Sequence, residues 1–208
     1  RIAYGITTGF GAFKDRLIPS EDVEKLQENI ILSHAVGTGP ELPAEVVRAM
    51  MIIRANTLAK GHSGIRLETL QLMLALLNKN ILPLIPSKGS LGASGDLAPL
   101  AHMALPLIGK GEVRFEGEVR NSDEVLRENS LKPIRLGAKE GLALTNGTTL
   151  MTAIGALQVY DAQVLLKSAN CAAALSLEAQ NGTLCAFYPQ IHTSRPQSMQ
   201  AETAANLR

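Results

Sequence analysis

Apolar positions recur at helical spacing along most of the chain. Val23, Leu26, Ile30 and His34 fall on one face of a helix that starts near Ser20, with Glu24, Lys25 and Glu28 on the other. Ser20 is placed to cap it, and Glu21 and Asp22 suit the positive end of its dipole. Pro43 opens a second helix that runs to about Lys60, with a broad apolar surface that includes Val46, Val47, Met50, Met51, Ile53 and Leu58. Gly61 ends it. Leu67 to Asn78 is apolar almost all round, which predicts a third, buried helix. Pro83 and Pro86 then break the chain and deliver it to a glycine-rich loop at 89–99. The next helix runs from Asp96 to about Leu107, where Gly109 and Gly111 stop it. Residues 112–120 alternate and turn at Glu116-Gly117, the pattern of a short hairpin. Ser122 caps a short helix to Glu128. From about 148 to 180 the chain is rich in Ala and Leu and lacks proline, which predicts one long bundle helix, with room for a break near Ser168-Ala169-Asn170. The tail from Asn181, with Pro189 and Pro196, reads as loop. The sum is a mostly α chain of packed helices with one small β-hairpin.

Composition sharpens this picture. The 208 residues can bury one good core or two small ones. Apolar residues make up 46%, aromatic residues only 3%, and Trp is absent, so the core is filled by Leu, Ile, Ala and Met, which suits helices better than sheets. A net charge of +1 gives no reason to expect a nucleic-acid or anionic-membrane partner. Cys171 and Cys185 lack a CxxC pattern or a nearby His at ligand spacing, so buried free thiols in a reducing compartment, and no metal site, are expected. No signal peptide and no apolar run long enough to span a bilayer are read, and a cytoplasmic location is the expectation.

The chemistry sits in Gly89 to Leu100, where glycines at 89, 92 and 95 precede a helix start. A phosphate cradle would want Lys and Ser/Thr after the last glycine, whereas Asp96 would repel an anion. A hydrolase elbow wants Gly-x-Ser-x-Gly, and the register Gly92-Ala93-Ser94-Gly95-Asp96 misses its final glycine. A plain turn accounts for Gly and Ser but not for so many small residues together. A second such stretch lies at Lys139 to Thr148, around Asn146-Gly147, and a third at Tyr4 to Gly11. Taken alone, each of those two is an ordinary glycine turn.

The run from Gly92 to Leu105 resembles the signature of the aromatic amino-acid ammonia-lyases. That resemblance extends over essentially the whole chain and implies a bundle of the ammonia-lyase and fumarase-like type. It implies one partial domain over 1–208, from a longer protein whose N-terminal start and C-terminal half are absent, so that the piece alone lacks activity. In the family, Ala-Ser-Gly cyclises: the Gly nitrogen attacks the Ala carbonyl, two waters leave, and a methylidene-imidazolone electrophile forms with no external cofactor. Ala93, Ser94 and Gly95 are the matching precursors. Tyr4 matches the tyrosine that handles substrate protons, and Asn146 the asparagine that helps bind substrate near the electrophile.

Ser33-His34-Ala35 resembles the Ser-His-Ala of the histidine-acting members, in which the His contacts the substrate imidazole. The implied reaction is elimination of ammonia from histidine to give urocanate, in a homotetramer that shares active sites between subunits. Thr7 and Thr149 depart from the histidine-type pattern, which has Asn and often Gln there, and keep a phenylalanine or tyrosine lyase or aminomutase as the alternative. A non-catalytic helical association module is the reading from a different class. His102 belongs to the family pattern but is assigned no chemistry, and His62 is read as exposed.

Overall fold

A computed structural model describes residues 2–91 and 95–208. The chain divides into two compact units, 1–155 and 156–208.

In the first unit, α1 (Val23–His34), α2 (Ala44–Ala59), α3 (Leu67–Asn78) and α4 (Leu97–Ala104) enclose a core of Ile31, Met50, Met51, Leu58, Met73, Leu76, Leu100 and Met103, all essentially buried. Pro43 immediately precedes α2, and Gly61 follows it in the left-handed region, as its sequence position requires. Helix α3 is less enclosed than expected, because Leu67 and Leu74 face outward while Thr69 is buried in their place.

Strands are more numerous than the sequence suggests. β4 (Glu112–Phe115) and β5 (Glu118–Asn121) form the expected hairpin, turning at Glu116 and Gly117, which both have positive φ. β2 (Leu82–Pro83) adds to β4 as a third antiparallel strand, and β1 (Thr38–Glu41) pairs separately with β3 (Pro86–Lys88). These added strands are two to four residues long and contain proline, too short to show alternation.

Several caps differ from expectation. Ser20 makes no capping bond and lies in a 3-10 turn that leads into α1. The short helix α5 (Ser122–Glu128) is capped by Asn121, whose side chain accepts from the Asp123 N–H, while buried Ser122 donates its hydroxyl to Lys110 O at 2.6 Å. A short helix, α6 (Glu140–Thr145), stands where only a turn was anticipated.

Helix α7 (Thr149–Ala179) begins in the first unit and continues without a break, since Ser168 bonds back to Val164 O and leaves the ladder intact. The helical stretch Glu140–Ala179 is long and apolar enough to cross a membrane by length and composition, so the expectation of no such run is not met. From Thr149 onward it carries only Asp161, Lys167 and Glu178 as charged residues. The core helix of a helical bundle has the same composition.

In the second unit the tail is helical rather than loop. α8 (Pro189–Ser194) uses Pro189 at its first position, where a missing N–H costs nothing, and α9 (Ser198–Leu207) follows Pro196. His192 and Ala204 are buried there. Cys171 and Cys185 are free thiols, but exposed rather than buried. Cys171 sits on α7, where most side chains beyond Ala156 face outward.

Candidate active site

Helix α6 is the frame of the site, because each of its ends is tied to one of the glycine-rich loops. At its start stands Glu140, fully buried. Its carboxylate accepts from the Arg66 N–H at 3.0 Å, the Gly137 N–H at 2.7 Å, Thr69 Oγ1 at 2.6 Å, and Arg66 Nε and Nη2 at 2.9 and 2.6 Å. Burial pushes this carboxyl up, but the donors from Arg66, Thr69 and Gly137 outweigh it and hold Glu140 below the usual carboxylate range.

Gln27 of α1 reaches the same end of α6. Its Oε1 accepts from the Gly141 and Leu142 N–H groups at 2.9 and 3.4 Å, while its Nε2 donates to Gly5 O at 3.1 Å. One fully buried amide therefore joins the Tyr4-Gly5 loop to α1 and α6. The approach depends on glycine, since a Cβ on residue 141 would lie 2.5 Å from Gln27 O. Tyr4 itself is exposed, with its hydroxyl accepting from the Gly11 N–H at 3.1 Å and the Phe10 ring set edge-on at 6.1 Å. Lys139 Nζ stands 5.8 Å from the centre of its ring.

At the other end, α6 runs into Asn146, whose exposed amide makes no hydrogen bond among the described residues. The Gly147 carbonyl accepts the Asp96 N–H at 2.6 Å. Gly95 lies against the same residue: a Cβ there would sit 2.7 Å from Gly147 O, and its φ of +121° also favours glycine. Position 95 thus fits a residue without a side chain. Ala93 and Ser94, the other two expected precursors, lie outside the described residues.

Asp96 does not cap its own helix. Its buried carboxylate accepts from the Met151 N–H at 3.0 Å in the first turn of α7 and from Ser90 Oγ at 2.5 Å. The acid so favoured at a helix start serves a different helix, which fastens the loop, α4 and α7 together.

His34 ends α1, half-buried, with Nδ1 2.8 Å from Ile30 O and 3.1 Å from Ser33 Oγ. A carbonyl can only accept, so Nδ1 carries the proton and Nε2 is the nitrogen available to a ligand. The ring borders a cavity of about 550 Å³ whose lining includes Phe10, Phe13, Leu26 and Ile30. Three residues on, the Gly37 N–H donates to His102 Nε2 at 3.0 Å, tying the segment after His34 to α4. That bond requires an unprotonated Nε2, and burial holds the His102 imidazole below its ordinary value. His102 is a structural tie, as its assignment of no chemistry anticipates, and His62 is exposed.

Gly95 and Asn146 therefore come together through Gly147, and Tyr4 joins them through Gln27, Lys139 and α6. His34 reaches the group through α1, which packs on α4 and α6. No hydrogen bond links the side chains of Tyr4, His34 and Asn146 to one another among the described residues.

Two residues in this frame escape a reading for chemistry, Gln27 and Arg54. Arg54 of α2 is buried, and its Nη2 donates to Ala143 O and to Asn146 O, the latter at 2.7 Å. Desolvation pushes its guanidinium down to about 10. The signal is present in the sequence: Arg54 stands in the apolar stripe Val47, Met50, Met51, Leu58, and Gln27 in the stripe Val23, Ile30, Ile31. A polar side chain at a core-facing position needs buried partners.

The family described as Aromatic amino acid lyase matches residues 1–208. Histidine ammonia-lyase of Chloroflexus aurantiacus is 58% identical over 207 residues, which is 100% of this chain and 40% of that protein. The crystal structure of histidine ammonia-lyase from Trypanosoma cruzi superposes with a TM-score of 0.93 at 42% identity, covering 100% of this chain and 40% of that one. Tyrosine aminomutase from Streptomyces globisporus gives a TM-score of 0.93 at 41% identity, again covering 100% of this chain and 39% of that one. The chain spans about 40% of the length of these curated relatives. It belongs to the aromatic amino acid lyase family.

Proposed function

We propose that a family-length protein carrying this chain eliminates ammonia from L-histidine to give urocanate. The observation that carries this reading is the docking of Gly95 and Asp96 on Gly147, which sets the last residue of the tripeptide beside the Asn146-Gly147 turn. Ala93, Ser94 and Gly95 are the residues that would form the methylidene-imidazolone, an electrophile that makes the substrate amine a better leaving group. In the net reaction a Cβ–H bond and the Cα–N bond break, a carbon–carbon double bond forms, and ammonia leaves. The Tyr4 hydroxyl is the proposed site of proton transfer, a role worth ~10²–10⁴-fold when well positioned. The Asn146 amide, exposed and without a hydrogen bond among the described residues, is the proposed substrate contact. His34 Nε2, the ring nitrogen not taken up by Ile30 O, is the proposed partner of the substrate imidazole.

Histidine as substrate is supported by the Ser33-His34 pair and by the 58% identity to a histidine ammonia-lyase. Thr7 and Thr149, with the aminomutase likeness, favour a second reading, action on tyrosine or phenylalanine. Incubation of such a protein with the three amino acids separates the two. Formation of urocanate is expected, and a cinnamate-type acid from phenylalanine or tyrosine, with no urocanate, would favour the second. Self-association into a homo-oligomer is also proposed, since Val159, Leu165 and Leu175 of α7 are exposed apolar residues, and light scattering on the same preparation checks it.

A further inference from the structure

Arg54 is a buried cation beside Gly147, the residue on which Gly95 docks, and no carboxylate is paired with it among the described residues. Its partners are two carbonyl oxygens, those of Ala143 and Asn146, in and just beyond the last turn of α6. Those carbonyls have no helical donor of their own and form the negative end of the helix, so a cation is favoured there. A guanidinium can hold both at once because its donors form a rigid fork. Its Nε, buried, has no hydrogen-bond partner among the described residues. A residue serving only to fill the core at position 54 could be Leu or Met, as at Leu58 and Met50, with no buried charge to compensate.

The grip falls on the residues that matter. Fixing Asn146 O fixes the peptide that leads into Gly147, and Nη1 lies so close that a Cβ on residue 147 would be 2.6 Å from it. The next link is the Asp96 N–H on Gly147 O at 2.6 Å, with Gly95 against the same residue. From guanidinium to tripeptide the path is two contacts long.

We infer that Arg54 is a positioning residue for cyclisation: it sets the Asn146-Gly147 turn, and through Gly147 it holds Gly95, the residue whose nitrogen would close the ring. The inference rests on the reading that Ala93, Ser94 and Gly95 cyclise. Arg54 touches neither substrate nor reacting atoms in this role.

The test uses a family-length protein carrying this chain, in the wild type and as Arg54→Met, Arg54→Lys and Leu58→Ala. Intact mass reports the two-water deficit, near-ultraviolet absorbance the heterocycle, and thermal melting the fold. Arg54→Met is expected to lose most of the deficit and the absorbance. Arg54→Lys is expected to keep more, since an ammonium can reach one of the two carbonyls. Leu58→Ala, a buried truncation on the same helix, is expected to melt earlier with its deficit intact, which a merely structural role for Arg54 would not distinguish. A folded Arg54→Met with the full deficit overturns the inference, as does equal loss in Leu58→Ala. Should Arg54→Met fail to fold, Arg54→Lys decides: a partial deficit supports the role and a full one overturns it. A wild type without the deficit overturns cyclisation itself and this inference with it, whereas a deficit unaffected by position 54 removes only the role of Arg54.

Discussion

His34 shows how far one residue can be read before its surroundings are known. Its place at the end of the α1 stripe is plain in the sequence, and a His there is usually a satisfied, partly buried residue. The bond from Nδ1 to Ile30 O is not legible, because it depends on how the last turn of α1 presents its carbonyl. It makes the ring satisfied at one nitrogen and available at the other. His34→Leu in a family-length protein should therefore lower kcat/KM for histidine with little change in melting temperature. Loss of one such hydrogen bond, about 1–3 kcal/mol, corresponds to roughly a 5- to 150-fold fall. Steady-state kinetics beside a thermal melt measure both, and unchanged kinetics would remove His34 from the substrate site. Arg54 and Gln27 are the opposite case: visible as polar residues in apolar stripes, but with partners 92 and 114 residues away that no local pattern reveals.

At the scale of elements, the long amphipathic helices were legible because their periodicity repeats over several turns. Helix α6 was not: its six residues give no period, and its stability comes from outside, through Glu140 at one end and Arg54 at the other. The tail is helical rather than loop for a related reason, since Pro189 opens a helix as readily as it breaks one. The Glu140 cluster makes a pH prediction. Its folded pKa lies below the ordinary 4.5, so its stabilisation is fully present above that value and is lost as pH falls through the folded pKa. Stability by urea unfolding should therefore drop on acidification below about 4.5, and Glu140→Gln should be less stable at neutral pH, by about 1–3 kcal/mol, with a flatter acid limb. The Glu128 carboxyl, paired with Arg120, is also held below its ordinary value but is exposed, so its share should fade with added salt. An acid limb unchanged by Glu140→Gln would show that the cluster does not hold α6.

At the scale of the molecule, α7 is less legible than the core. Its side chains past Ala156 are mostly exposed, so its apolar composition does not report what it packs against within these 208 residues, and the expected burial of Cys171 fails with it. The aromatic-poor core of Leu, Ile and Met, by contrast, follows from composition because helices pack such side chains without regard to pairing partners. What organises the first unit is a single frame: α1, α4 and α6 hold the Tyr4 loop, the segment after His34, and the Gly95–Gly147 junction. The proposed role of this frame is to form and present an electrophile made from Ala93, Ser94 and Gly95. The intact mass of a family-length protein carrying this chain tests that claim most directly. It should be two waters lighter than its sequence, with the deficit abolished by Ser94→Ala. A mass equal to that of the uncyclised sequence, or a deficit that survives Ser94→Ala, would contradict it.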